Sequence, residues 1–239
     1  MGAMVLKHFT NEPIPALVSG LLVCFGLYGY SVLLEHTLTY DYLILNLGLA
    51  LIPLLLSWRI VAVLRRKRWS SWEPLLDTIL WLIFLPNSFY MISDYIHIQT
   101  MPTSQVLFNS IMFSSFIFLA MTMGIISLYM IHAELRRRIR PRMAAAVTVA
   151  VIAICCFAIY LGRDLRWNSW DIIFNPGGVL FDISNLILKP DQYPDIARTV
   201  TGFFLLIGAL YFIGWQIART MWHRGVNDLA AHIRKQKHT

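Results

Sequence analysis

The stretch WLIFLPNSFYMISDYIH, Trp81 to His97, decides how the chain is read. It opens as a lipid-soluble helix, meets Pro86, and ends with Asn87, Tyr90, Asp94 and His97. Those four stand at i, i+3, i+7 and i+10, one face of a 3.6-residue helix. A polar stripe on a membrane helix is costly unless it faces protein or a water-filled cavity. The stretch therefore reads as one wall of a polar pocket.

The surrounding chain supports a membrane setting. Hydrophobic residues make up 57% of 239 positions and charged residues 14%, and the charges are clustered between long apolar runs. A soluble domain so composed would expose large apolar patches. The fold class expected is all-α, a polytopic membrane protein with six transmembrane helices. The spans fall at about 13–34, 42–64, 74–98, 104–135, 143–162 and 196–220, a single domain over 13–220. A short segment, 1–12, precedes it and a basic tail, 221–239, follows. The first run is longer than a signal-peptide core and lacks a small-residue cleavage signature, so it counts as a span.

Two prolines are read differently. Pro74 suits a first helical turn, whereas Pro86 removes a backbone bond mid-span and predicts a kink. Gly20, Gly26 and Gly29 of the first span are expected at close helix contacts, as are Ser110, Ser114, Ser115 and Gly124 of the long fourth span. The one long connection, 163–195, contains the turn Asn175-Pro176-Gly177-Gly178 and then an amphipathic stretch, 179–188. Val179, Leu180, Ile183, Leu186 and Ile187 form its apolar face and Asp182 and Asn185 its polar one, which predicts a short interfacial helix.

Six spans put both ends on one side. With both termini, the 65–73 loop and the 136–142 loop in the cytoplasm, 16 of the 20 basic residues are inside. Eight of the 13 acidic residues are then outside. Every loop satisfies the positive-inside rule, so both termini are expected in the cytoplasm. The formal charge of +7 is thus a topology signal and a contact with anionic lipid head groups, with no nucleic-acid partner expected.

This topology gathers polar groups at the outer surface. Asn87, Tyr90, Asp94 and His97 lie in the outer half of the third span, and Asn46 and Asn109 fall at the same depth on the second and fourth. Arg163, Asp164, Arg166, Trp167, Asn168, Ser169, Trp170 and Asp171 stand at the outer end of the fifth. Asp94 is expected to meet Arg163 or Arg166, either as part of a pocket or as an ion pair that only locks two helices. Asp94 and Asp171 are candidates for a general acid and base. His97 with Asp94, and Asp171 or His36, is a weak metal candidate against the plainer reading of an interfacial histidine. Trp167 and Trp170 read most simply as an outer aromatic belt, matched inside by Trp58, Trp69, Trp72, Trp215 and Trp222. Cys24, Cys155 and Cys156 lie in apolar runs with no disulfide or zinc spacing. No phosphate-binding loop, dinucleotide fingerprint or nucleophile elbow is present, so no cofactor is expected.

Two segments, FLPNSFYMISD (84–94) and GRDLRWNSWD (162–171), resemble the bacterial membrane family called domain of unknown function 1361. That family's signatures are P-N-x-x-Y-x-x-x-D on one helix and G-R-x-x-R-x-N-S-W-D after a later one. The resemblance runs over spans two to six. It implies an integral protein of a bacterial cytoplasmic membrane, and it carries no reaction, ligand or catalytic residue.

The leading expectation is a binding or transport-type protein holding a small amphiphilic or anionic ligand at a pocket open to the outside. Asn46, Asn87, Tyr90, Asp94, Arg163, Arg166, Asn168, Trp170 and Asp171 would form its site, with helix 179–188 over the entrance. One alternative is an enzyme acting on a lipid or isoprenoid-linked substrate in the outer leaflet. The other is a structural or assembly protein in which the same residues fasten helices.

Overall fold

A computed structural model describes residues 13–36, 38–100, 103–167, 169–189, 191 and 193–236. The segment 1–12 and Asn168 lie outside the described residues, as do the side chains of His97, Ile187 and residues 221–236. Helices α1 (Pro13–Glu35), α2 (Asp41–Val63), α3 (Trp72–Phe84) and α4 (Asn87–Tyr90) lead into a 3-10 helix, Met91–Thr100. There follow α5 (Thr103–Leu135), α6 (Pro141–Asp164), α7 (Asp171–Phe174), α8 (Pro176–Leu188) and α9 (Asp195–Gln236). No strand occurs among the described residues.

Six helical stretches are long and apolar enough to cross a membrane: Ile14–Leu34, Asp41–Val63, Trp72–Ile96, Ser104–Leu135, Pro141–Asp164 and Asp195–Thr220. The chain is an integral, multi-pass membrane protein. Its exterior is correspondingly apolar, with Leu22, Leu33, Leu107 and Phe118 each at least 70% exposed.

α5 is the axis of the bundle. Buried residues make up 61% of its apolar window against 17% for α9, so its neighbours are arranged around it. α2 and α1 pack along it, α3 lies beside α2, and α6 pairs with α9. At 33 residues α5 is about 50 Å long, more than a ~30 Å hydrocarbon core requires. Met112, Phe113, Phe116 and Ala120 of α5 meet Leu43, Leu47 and Leu54 of α2 in one core. Leu128 and Ile131 meet Trp81, Cys155, Cys156 and Ile207 in the other.

Lipid tails are as apolar as these side chains, so close approach and buried hydrogen bonds must hold the helices together. A Cβ on Gly124 would lie 2.7 Å from Ser88 Cβ and 2.8 Å from Phe89 Cζ, so α4 seats directly on that glycine. Gly20 is similarly filled by Leu119, at 2.8 Å. Gly26 and Gly29, also expected at contacts, have nothing within 4 Å. Ser110 and Ser115 bond back to their own helix, to the carbonyls of Val106 and Ile111, whereas Ser114 also meets Tyr95 Oη at 2.5 Å. Three helices are stapled together where Trp81 Nε1 donates to Ser127 Oγ (2.7 Å) and Ser127 Oγ donates to the Pro53 carbonyl (2.9 Å).

The third span is broken at Pro86, as its sequence predicts, and more thoroughly than a kink. The single face expected from Asn87 to His97 does not persist, because α-helical periodicity ends at Tyr90. Proline has no N–H to give. Ser88 N–H bonds the Leu85 carbonyl at 3.1 Å, three residues back, and the Asn87 amide takes over the Phe84 carbonyl at 3.0 Å. The ten-residue 3-10 run that follows is long for that geometry.

The amphipathic helix is present but starts earlier and is turned differently from its sequence reading. Pro176 occupies the first turn and Asn175 Oδ1 accepts from Gly178 N–H at 3.2 Å. Val179 and Leu186 are buried, while Leu180, Phe181 and Leu188 are exposed, at 62%, 65% and 76%. Asp182, expected on the polar outer face, is turned inward to Trp167.

At the arginine-rich end, Arg59 bonds Asp77 at 2.9 Å and Glu73 at 3.2 Å, and Lys67 also pairs with Glu73. Glu134 pairs with Arg137 and Arg138, and Arg138 reaches the Leu64 carbonyl at 3.1 Å. Two tryptophans assigned to the inner belt serve this end: Trp69 bonds Thr78 at 3.0 Å and Trp215 stacks on His132 at 4.5 Å.

Candidate functional site

At the opposite end, α2, the broken third span, the end of α6 and the segment after it enclose a cavity of about 300 Å³. Its polar lining residues are Tyr42, Asn46, Asn87, Tyr90, Asp94 and Ser169. Its apolar lining residues include Leu49, Ile83, Ile159, Trp167 and Val179. Leu45, Trp170 and Ile172 line it and are themselves exposed, so the rim is apolar.

Each wall has a local cause. Pro86 ends α3 and lets the chain re-enter as one α-turn, which carries Asn87 and Tyr90. Both hydrogens of Asn87 Nδ2 are used, one on the Phe84 carbonyl and one on Ser169 Oγ at 2.8 Å. The remaining capacity of that amide is its acceptor, Oδ1. Asn46 Nδ2 donates to Asp94 Oδ2 at 3.2 Å across 48 residues, which sets α2 against the 3-10 helix. Asp94 is 5% exposed, and its charge reaches the phenols of Tyr42 and Tyr90.

The other wall depends on how α6 ends. Arg166 adopts φ 59°, in the left-handed region, and the Trp167 N–H returns to the Leu161 carbonyl at 3.2 Å. The chain thereby folds back over the last turn of α6. Gly162 is what permits it: a Cβ there would lie 3.2 Å from the Trp167 carbonyl oxygen and 3.5 Å from Tyr90 Cε2. Trp167 Nε1 then donates to Asp182 Oδ2 at 2.8 Å, and its ring lies over Gly178, where a Cβ would approach within 2.8 Å. Those contacts hold α8 against the cavity, with Val179 lining it.

Of the site residues expected from sequence, Asn46, Asn87, Tyr90, Asp94 and Trp170 line this cavity together. Arg163 is exposed and lines a separate recess with Ile92, Ser93, Tyr95, Ile96 and Phe203. Arg166 is exposed at the turn, and half-buried Asp171 begins α7 without lining the cavity. Asn168 lies outside the described residues, as does the side chain of His97. Asn109 is fully buried and donates to Tyr40 Oη at 3.1 Å, a contact within the core. No group of three His, Cys, Asp or Glu side chains with metal-binding spacing occurs among the described residues.

Sequence reasoning passed over Tyr42 and Ser169 and placed Trp167 in a lipid-facing belt. Ser169 is signalled by its place beside Trp170 in the second motif. Tyr42, one turn before Asn46 on α2, is signalled by that spacing.

No curated protein and no solved structure matches the chain. The family model described as "Protein of unknown function (DUF1361)" matches residues 45–213, which hold both motifs and every lining residue named above except Tyr42. With well over half of its length matched, the chain belongs to that family.

Proposed function

We propose that this protein binds a small amphiphilic molecule in the cavity between α2, the broken third span and the end of α6, as a binding or transport-type membrane protein. One observation carries the reading: polar residues from three separate elements line one space together with apolar ones, and its exposed lining residues Leu45, Trp170 and Ile172 are apolar. A pocket of this kind orients a ligand by a few placed polar groups and holds it by apolar contact. α8 is the element that covers it. The charge asymmetry of the loops supports placing the cavity on the outer side of a bacterial cytoplasmic membrane, with both termini inside.

Native mass spectrometry of the purified protein tests the reading. Ala158 of α6 lines the cavity, so Ala158→Phe puts a ring into it while every polar lining residue keeps its identity. A discrete co-purifying mass on the wild type, lost from folded Ala158→Phe, is the expected result. Equal spectra from the two proteins would sink the proposal.

A second reading has its own observation. The bonds Asn46–Asp94 and Asn87–Ser169 each join distant elements, so the same residues would serve a purely structural protein as fasteners. Equal spectra combined with lower melting temperatures for Asp94→Asn and Asn87→Ala would favour it.

A further inference from the structure

We propose that the head group held in this cavity is a cation, a primary or quaternary ammonium. The inference rests on the binding reading above and specifies its ligand class. Asp94 is the only charged residue among the described residues that line the cavity, and it is nearly excluded from the exterior. Two phenols, Tyr42 and Tyr90, and two indoles, Trp167 and Trp170, line the same space. A carboxylate among aromatic rings is the arrangement that selects ammonium groups, because ring faces and carboxylate attract a cation together. The Trp167 N–H is already given to Asp182, so that indole offers the cavity ring surface and no donor. Both Asn87 Nδ2 hydrogens are likewise used, and its free acceptor suits an N–H-bearing head.

An anion fits the geometry poorly. Arg163 and Arg166 do not line the cavity, although the charge of Arg163 reaches Tyr90 as that of Asp94 does, and an anion inside would face Asp94 at low dielectric. The exposed lining residues Leu45, Trp170 and Ile172 are apolar, and Phe174, Leu180 and Phe181 of the following segment are exposed as well, which suits an entrance beside acyl chains. The tail of an amphiphilic amine then stays in lipid while its head enters.

The test uses the full chain in maltoside detergent, which carries no amine, and a series of probes with one tail. Decyltrimethylammonium, decylamine, decyl glucoside and decanoate are titrated against thermal unfolding to give apparent affinities. The ammonium probes are expected to bind at least ten-fold more tightly than the other two, and Asp94→Asn to abolish that ratio. Should Asp94→Asn not fold, Trp170→Ala at the rim serves instead, weakening decyltrimethylammonium several-fold more than decyl glucoside. Equal affinity for decyl glucoside, or preference for decanoate, would overturn the cationic head while leaving the pocket standing. No binding by any probe, with Ala158→Phe indistinguishable from wild type, would remove both. Added phosphatidylethanolamine then decides the source. Displacement of decylamine identifies a membrane lipid head group and no displacement a free amine, and the ammonium selectivity supports the proposal in either case.

Discussion

Asn87 Nδ2 donates to Ser169 Oγ at 2.8 Å, a bond that spans 82 positions and ties the broken third span to the segment after α6. It joins the two motifs that distinguish the sequence. It also depends on Pro86, since only a broken helix exposes the Phe84 carbonyl that the same amide caps. A double-mutant cycle of Asn87→Ala and Ser169→Ala, measured by unfolding in mixed micelles, should give a coupling of about 0.6 kcal/mol, with about 1.7 as the upper end for such bonds in membranes. Additive effects would mean the two motifs touch without stabilising each other.

Gly124 and Gly26 look alike in sequence and differ in surroundings. Ser88 and Phe89 are fully buried against Gly124 and have no room to retreat. Gly124→Ala should therefore cost about 1–3 kcal/mol through overpacking. Gly26→Ala, with open space around it, should stay within about 0.5 kcal/mol of wild type. Thermal unfolding in detergent compares them directly. Equal effects would show that α4 does not seat on α5 as described.

Much of the architecture is legible in the sequence because one solvent imposes it. Apolar runs long enough to cross a bilayer admit one backbone solution, so the spans follow from hydropathy and the break from Pro86. The lining set is legible in part for the same reason: Asn46, Asn87, Tyr90 and Asp94 are too polar to face lipid. What periodicity does not carry is how the chain leaves a helix. The turn at Arg166 sends Trp167 back over Gly162 and turns Asp182 inward, and no repeat of 3.6 announces either. Arg163 and Arg166 are charged as a ligand contact would be, yet Arg163 lines another recess from within α6 and Arg166 is exposed at the turn itself.

Arg166 gives a prediction that separates a turn from a ligand contact. At φ 59° an arginine is strained where glycine is not. Arg166→Gly should leave stability unchanged or raise it by up to about 1 kcal/mol, with the co-purifying mass retained. Loss of that mass from a folded Arg166→Gly protein would return the arginine to the site.

The arginine-rich end holds two nearly buried carboxylates, Asp77 and Glu134. Asp77 is 3% exposed and takes its bond from Arg59, whose side chain is 56% exposed. Removing Arg59 leaves Asp77 charged among helices, a loss of up to about 3–5 kcal/mol when a pair is fully buried. Exposure of the arginine reduces this to about 1–2 kcal/mol. Arg59→Met should show that loss, and Arg59→Met with Asp77→Leu should recover most of it. A double variant no better than the single one would mean the pair stabilises nothing by its charge.

The bond from Trp167 to Asp182 decides whether α8 stays over the cavity. It is a hydrogen bond to a carboxylate, of the class worth about 1.5–3 kcal/mol, and few other polar contacts hold this short helix. Trp167→Phe keeps the ring over Gly178 and removes only the donor. Amide exchange over 176–188 should then accelerate by about ten-fold or more, while exchange in α5 stays unchanged. Asp182→Asn preserves an acceptor and should lie between wild type and Trp167→Phe. If exchange in α8 is unaffected by either change, the packing of Ile183 and Leu186 with Tyr160 and Leu161 is what holds the helix, and the Trp167 hydrogen bond adds nothing to it.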